Sequence, residues 1–212
     1  MKILTVPFMH PGDLSHSLPK NVIDQALWAK GGDLPCEAGF SIFHFDKGLC
    51  IKYSVVESFL HVKKRKINGA VYKDNCVEFF IAFDDDRGYY NFEFNCLGSI
   101  KVGFGKDRHK RRSLPPDILM SIADNMEISI SNTGAGNLIR WTLTLILPSD
   151  VFFYHKQHLL GGTTCRANFT KCGDSLPNPH FLSWVDIPTP TPDFHQPSYF
   201  GKLIFEPPDL EQ

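Results

Sequence analysis

Four polar side chains stand at alternating positions in two apolar runs, where they could form a hydrogen-bonding surface. Glu78 lies in the run CVEFFI, and Asn91, Glu93 and Asn95 lie in the run YYNFEFN. Successive side chains of a β-strand point to opposite faces, so these three share one face while the aromatic residues between them share the other. Carboxylates accept several strong hydrogen bonds, and carboxamides both donate and accept them. The pattern therefore predicts a polar surface built to hydrogen-bond a ligand.

A β-hairpin is the element that must position these residues. Residues 74–100 form two alternating, aromatic-rich runs joined by an acidic turn, which is typical of such a hairpin. With both apolar faces in the core, Glu78 joins the polar residues of the second run on the other face of the sheet. The turn contains Asp84, Asp85 and Asp86, whose oxygens are of the kind that calcium accepts. Acidic turns are common, however, so calcium is only a possible cofactor.

The rest of the chain predicts one all-β domain over residues 1–212, with residues 1–20 as an N-terminal extension. About ten short strand-like runs separated by turn signals indicate a β-sandwich. Further runs lie at residues 39–45, 49–56, 99–104, 127–131, 139–147, 163–171 and 199–205, and residues 22–28 could be a strand or one helical turn. The long Pro-rich segment at residues 172–200 contains Trp, Phe and His. It carries too much apolar material to be disordered, so we expect an ordered loop laid across the sheet.

Composition excludes several classes of function. The net charge of −1 over 212 residues gives no global attraction to nucleic acid, and no run has the length of a membrane span. The N-terminal segment is interrupted by prolines and is a poor signal peptide, so the chain is cytoplasmic or lacks its export signal. Six dispersed cysteines favour reduced thiols over a disulfide framework or a zinc site. Cys165 and Cys172 are the one pair close enough in sequence to suggest a disulfide.

Three blocks of the chain, residues 71–81, 89–98 and 166–206, together resemble the family 9-like carbohydrate-binding proteins. These are relatives of the family 9 modules attached to xylanases. The resemblance implies a jelly-roll-like β-sandwich that binds an oligosaccharide or polysaccharide without cleaving it. It also implies a sugar held between aromatic rings by charged and amide side chains, with calcium supporting the loops. The last block belongs to the 9-like branch, and there the chain departs from the xylanase modules.

The resemblance also implies roles for individual residues. Tyr72 stands six residues before Glu78, where the family motif has an aromatic platform, and an electron-rich ring suits the apolar C–H face of a pyranose. Glu78 would hydrogen-bond the sugar hydroxyls, and the alternating pattern of the second run adds Asn91 and Glu93 as further hydrogen-bonding residues. An arginine is expected after the third strand. The full set of ligand-binding candidates is Tyr72, Glu78, Asn91, Glu93, an arginine at Arg108 or Arg111, and a second aromatic platform at Trp184 or Tyr199, with Trp184 preferred.

Two other functions remain open from the residues alone. Glu78 and Glu93 on adjacent strands could serve a glycoside hydrolase, but that reaction needs one raised pKa, which an open polar face would not provide. A protein-interaction module could instead use the basic runs at residues 63–66 and 106–112. His180 and His195 fit no helical pair of metal ligands and are expected to be hydrogen-bonded loop histidines.

Overall fold

The structure is a computed structural model that describes residues 1–9, 18–26, 28–29, 36–83, 88–133, 136–155 and 159–208. Within these ranges the chain forms thirteen strands and one short α-helix, α1 (Pro116–Met120). Single 3-10 turns occupy Val71–Lys73, Ser149–Phe152 and Pro197–Tyr199. No helix in the described ranges is long and apolar enough to span a membrane.

The strands form two sheets. The larger sheet contains β1 (Ile3–Val6), β5 (Cys76–Ala82), β6 (Tyr89–Asn95), β7 (Ile100–Gly105), β8 (Arg112–Ser113), β11 (Thr164–Cys172), β12 (Phe181–Ser183) and β13 (Gly201–Phe205). Its order is β1-β13-β11-β5-β6-β7-β8, with β12 paired to β11. The smaller sheet contains β2 (Asn21–Val22), β3 (Glu37–Phe45), β4 (Gly48–Glu57), β9 (Ala123–Thr133) and β10 (Gly136–Pro148), in the order β2-β3-β4-β10-β9. All pairings are antiparallel except β1 with β13.

The core between the sheets is aromatic. Phe40 of β3 stacks on Phe169 of β11 with ring centroids 3.6 Å apart, and Phe79 of β5 stacks on Phe169 at 5.0 Å. The predicted aromatic face of β6 also turns inward, because Phe92 packs against Phe79 and Phe152. Burying each such ring contributes roughly 1.5–3 kcal/mol. The predicted all-β sandwich and the predicted hairpin orientation are therefore confirmed.

The other face of the larger sheet is covered by residues 173–180 and 185–200, which we call the covering segment. The rings of Phe194 and Phe200 lie 6.4 and 5.6 Å from the ring of Phe80 on β5. Trp28 Nε1 fixes the segment from the side by donating to the Thr189 carbonyl at 2.8 Å. The prediction of an ordered Pro-rich loop across the sheet is confirmed. As a result, the outer face of β5 and β6 is buried rather than open to solvent.

Most of the predicted strands occur in the structure, with three differences in detail. Residues 1–20 were expected to be an extension, but β1 pairs in parallel with β13 and is an edge strand of the larger sheet. In residues 22–28, only the start of the segment is extended, since β2 ends at Val22. Strands β9 and β10 run longer than the alternating patterns indicated, because residues 123–133 of β9 pair with residues 136–146 of β10.

The cysteines are all thiols. Cys165 and Cys172 lie on the same strand, β11. At about 3.3 Å per residue they are roughly 23 Å apart, so they cannot form the disulfide that their proximity in sequence suggested. Cys172 instead lies directly opposite Cys76 of β5.

Candidate functional site

A cavity of about 400 Å³ opens between the Val71–Lys73 turn, strand β7, the segment after β7 and the covering segment. This volume is within the range of small-molecule sites, about 300–1,000 Å³. Its lining includes five of the candidates from the sequence, namely Tyr72, Glu78, Glu93, Arg108 and Arg111. Residues from four separate parts of the chain therefore meet at one site.

The polar floor of the cavity is a cross-strand pair of carboxylates. Glu78 of β5 and Glu93 of β6 are directly opposite in register, and each is only 5% exposed. Lys101 of β7 lies opposite Glu93 and donates from Nζ to Glu93 Oε1 at 2.8 Å. Asn91 Nδ2 donates to the same oxygen at 3.1 Å. Glu93 is thus held as the charged partner of Lys101.

Burial raises the pKa of both carboxyl groups. The pKa of Glu78 rises to about 8, mainly because the group is desolvated and also because Glu93 is close. The pKa of Glu93 is raised by burial as well, although Lys101 opposes that shift. At neutral pH Glu78 is therefore protonated, whereas the ion pair with Lys101 favours the charged form of Glu93. The expectation that an open face would leave these pKa values unshifted is wrong, because the covering segment closes the face.

Tyr72 is positioned by backbone hydrogen bonds to the covering segment. The Asp174 N–H donates to the Tyr72 carbonyl at 3.2 Å, and the Ser175 N–H donates to the Lys73 carbonyl at 3.1 Å. The Lys101 ammonium lies 4.9 Å from the centroid of the Tyr72 ring. Lys101 therefore joins the aromatic wall of the cavity to its acidic floor. Although burial lowers the pKa of Lys101, the contact with Glu93 raises it overall, so the ammonium stays charged.

Arg111 is held flat against the cavity wall. Its guanidinium lies 4.5 Å from the Tyr89 ring centroid, and Nη2 donates to the carbonyls of Tyr89 and Gly103. The absence of a side chain at Gly103 leaves room for the guanidinium, because a Cβ there would lie 2.7 Å from Arg111 Nε. Arg108 is more loosely placed, with Nη1 3.8 Å from Asp193 Oδ1. The structure thus brings both candidate arginines to the cavity.

His195 is a cavity residue whose environment the sequence did not reveal. Its Nδ1 lies 3.0 Å from the Tyr89 hydroxyl, and its ring packs against Phe80 at 5.3 Å. Burial and the nearby Arg111 and Arg108 lower the pKa of His195 to about 3. The imidazole is therefore neutral and can take part in hydrogen bonds without adding charge.

Three of the sequence candidates lie away from the cavity lining, and one of them is Tyr199, which is 42% exposed in the Pro197–Tyr199 turn. Asn91 is 1% exposed and lies behind Glu93, which it orients. Trp184 is 4% exposed and packs edge-on against Phe40 and Phe169 in the core. The indole fills the space left at Gly201, where a Cβ would lie 2.6 Å from it. The loop position that suggested an exposed platform instead follows β12 directly and points inward.

Several cavity residues were missed by the sequence reasoning. Five of them are Lys101, Asp174, Phe181, Phe194 and His195. Lys101 could have been found, because the predicted strand at residues 99–104 places it in register with Glu93. The others lie in the covering segment or on β12, where no periodic pattern indicates which side chains face inward.

The calcium candidates Asp84, Asp85 and Asp86 lie outside the described residues. Within the described ranges, one cluster of three His, Cys, Asp or Glu side chains is close enough to hold a metal ion, formed by Cys76, Glu78 and Cys172. Calcium takes six to eight oxygen ligands, and two thiols do not suit it. Calcium therefore stays a prediction for the acidic turn at residues 84–86.

The fold and the cavity together define a β-sandwich binding module with an aromatic and charged site. Its sequence matches the model of carbohydrate-binding family 9 over residues 13–205, and the chain belongs to that family. It is a non-catalytic carbohydrate-binding protein. The comparison with curated proteins gives no match.

Solved structures of the same fold agree with this assignment. A protein from Bacteroides uniformis, described as a proposed carbohydrate-binding protein, is 29% identical, with 97% of this chain and 99% of that chain covered and a TM-score of 0.85. A family 9 module from Caldicellulosiruptor kristjanssonii in complex with cellotriose is 14% identical, with 97% and 94% covered and a TM-score of 0.64. A family 9 module from the same organism in complex with glucose is 15% identical, with 100% and 99% covered and a TM-score of 0.63.

Proposed function

We propose that the cavity between Tyr72, strand β7 and the covering segment is the carbohydrate-binding site and that it takes part of an oligosaccharide or polysaccharide chain. The observation that carries this proposal is the convergence of five sequence candidates on one cavity of about 400 Å³. The Caldicellulosiruptor modules of the same fold are in complex with cellotriose and with glucose, which makes glucose-containing chains the first ligands to test.

The aromatic part of the site is Tyr72 together with Phe181. Both rings are partly exposed and line the cavity. The Lys101 ammonium lies over the Tyr72 ring, and a pyranose would stack its C–H surface on the exposed part of that ring. Phe181 would provide the second aromatic surface in place of Trp184, since Phe181 lines the cavity and Trp184 is in the core.

The polar part of the site offers both donors and acceptors. Protonated Glu78 can donate one hydrogen bond and accept others, whereas charged Glu93 only accepts. Three bonds from Arg111 go to the carbonyls of Asp107, Tyr89 and Gly103. A guanidinium has five N–H groups, so the remaining two would donate to sugar hydroxyls. Such a site binds with modest affinity, because desolvation of the hydroxyls offsets much of the gain.

The test is calorimetric titration of wild-type protein and three tyrosine variants with the best ligand from a glycan array. Tyr72→Ala should weaken binding about tenfold, equivalent to about 1.4 kcal/mol, whereas Tyr72→Phe keeps the ring and should bind within about threefold of wild type. Tyr199→Ala is the matched control, because Tyr199 is 42% exposed and is not part of the cavity lining. Equal affinity of Tyr72→Ala and wild type would remove the stacking proposal.

The salt dependence of binding separates this proposal from an interaction module that uses the basic runs. A stacked neutral sugar should bind with nearly the same affinity at low and moderate salt, whereas binding through Lys and Arg to an acidic partner weakens steeply. Part of the basic run at residues 63–66 already has a structural role, because Arg65 forms a bidentate ion pair with buried Asp74. A steep salt dependence for every glycan that binds would contradict the proposed site.

A further inference from the structure

Two thiols and a carboxyl group meet on the outer face of the larger sheet, at the edge of the cavity. Cys76 of β5 is directly opposite Cys172 of β11, and Glu78 follows two residues later on the same face of β5. Both Sγ atoms and a carboxylate oxygen of Glu78 lie within 4.8 Å of one another. The Cys172 Sγ lies 3.3 Å from Glu78 Oε1.

The cluster is rigid and has one open side. Cys76 is 0% exposed and Cys172 is 1% exposed, and both lie on central strands that are paired on each side. Glu78 and Cys172 line the cavity, but Cys76 lies behind them. A small ion that enters the cavity could therefore reach two of the ligand atoms directly and the third with little movement.

We propose that Cys76, Cys172 and Glu78 form a binding site for a thiophilic divalent cation such as Zn²⁺, with a fourth ligand position open to the cavity. Zinc takes tetrahedral sets of Cys, His and carboxylate ligands, with Zn–S bonds near 2.3 Å and Zn–O bonds of about 2.0–2.2 Å. Such bonds hold neighbouring ligand atoms roughly 3.5–4 Å apart. The three atoms are already close to that separation, and a water molecule in the cavity would complete the tetrahedron.

The protonation of the three ligand groups makes binding of the ion depend on pH. Burial raises the pKa of Cys76 to about 11 and that of Glu78 to about 8, and the contact with the Cys76 thiol, together with burial, raises the pKa of Cys172. Without an ion, the three groups are therefore neutral at pH 7. When the ion binds, each thiol S–H bond is replaced by a sulfur–metal bond, and the protons pass to the buffer. With the proton from Glu78, about three protons are released per ion, so the affinity should rise with pH.

The test uses reduced, chelator-treated full-length protein and titrates it with Zn²⁺ by calorimetry in two buffers of different ionisation enthalpy. We expect about one ion per chain and release of about three protons at pH 7. Co²⁺ in place of Zn²⁺ should give the absorption of a tetrahedral, thiolate-bound ion. Substitutions outside the ligand set reduce metal affinity by roughly 10–100-fold. Cys76→Ser removes a ligand and should therefore reduce Zn²⁺ affinity by more than that. Cys50→Ser, a buried cysteine of the smaller sheet, should bind as wild type does.

Three results would overturn the metal site. These are equal Zn²⁺ affinity of Cys76→Ser and wild type, Co²⁺ absorption without thiolate bands, and isolation of the protein with Cys76 and Cys172 joined in a disulfide under the reducing conditions of the assay. Sugar binding is measured on the same samples of metal-free Cys76→Ser. The changed residue lies outside the cavity lining, so sugar binding should be kept. A failed metal site therefore leaves the carbohydrate proposal intact, and a failed carbohydrate proposal leaves the metal test unaffected.

Discussion

Replacing Glu78 by Gln should make the metal-free protein more stable at alkaline pH. The covering segment buries Glu78 next to Glu93 and raises its pKa from 4.5 to about 8. The folded state holds the Glu78 proton more tightly than the unfolded state does. Glu78 therefore leaves the free energy of unfolding unchanged below about pH 4.5 and lowers it progressively as the pH rises from there through 8. At 1.36 kcal/mol per pH unit, the full difference amounts to at most about 5 kcal/mol. Glutamine keeps the acceptor for Cys172 and cannot ionise.

The assay is urea unfolding of wild-type protein and Glu78→Gln in EDTA, at several pH values from about 5 to about 9. The two proteins should have similar free energies of unfolding near pH 5. The variant should become more stable than wild type by several kcal/mol near pH 9. A difference that stays constant across this range would refute the reasoning, because it would mean that Glu78 is solvated in the folded state.

Three further changes test other parts of the structure. Gly103→Ala should displace the Arg111 guanidinium, because the new Cβ would lie 2.7 Å from Nε. Calorimetry should then show severalfold weaker sugar binding, while the urea midpoint changes little. Unchanged affinity would contradict a role for Arg111. Lys171→Met should lower the free energy of unfolding in urea by about 3–5 kcal/mol, because Lys171 is 0% exposed and pairs with Glu57 at 3.0 Å. Adding Glu57→Gln should recover part of that loss. Trp184→Ala should cost about 3–5 kcal/mol of stability as a core residue; a loss of sugar affinity at unchanged stability would instead support the platform predicted from the sequence.

The sequence predicted the hairpin and its polar face because both depend on local alternation. Glu78 and Glu93 alternate with core aromatic residues, so the face they occupy follows from the period of a strand. Their cross-strand pairing then follows from the hairpin register. Tyr72 and the arginines came from the family resemblance, and the structure places all of them at the cavity.

The burial of that polar face could not be predicted in the same way. It depends on the path of the covering segment, which is fixed by distant contacts such as Trp28 with Thr189 and Phe80 with Phe200. These contacts convert an apparently open surface into a cavity and shift the pKa of Glu78. The same lack of periodicity explains why Trp184 was placed at the surface and why Phe181 and His195 were missed.

The most direct test of the central claim is an NMR titration of ¹⁵N-labelled protein with glucose, cellotriose and the glycans that bind on an array. The account predicts saturable shifts concentrated on backbone amides around the cavity, at Tyr72, Lys101 to Gly103, Asp174 and His195. The same titration of Tyr72→Ala should need about tenfold more ligand. Saturable shifts centred elsewhere, for example around Glu57 and His180 at the smaller second cavity, would contradict the account.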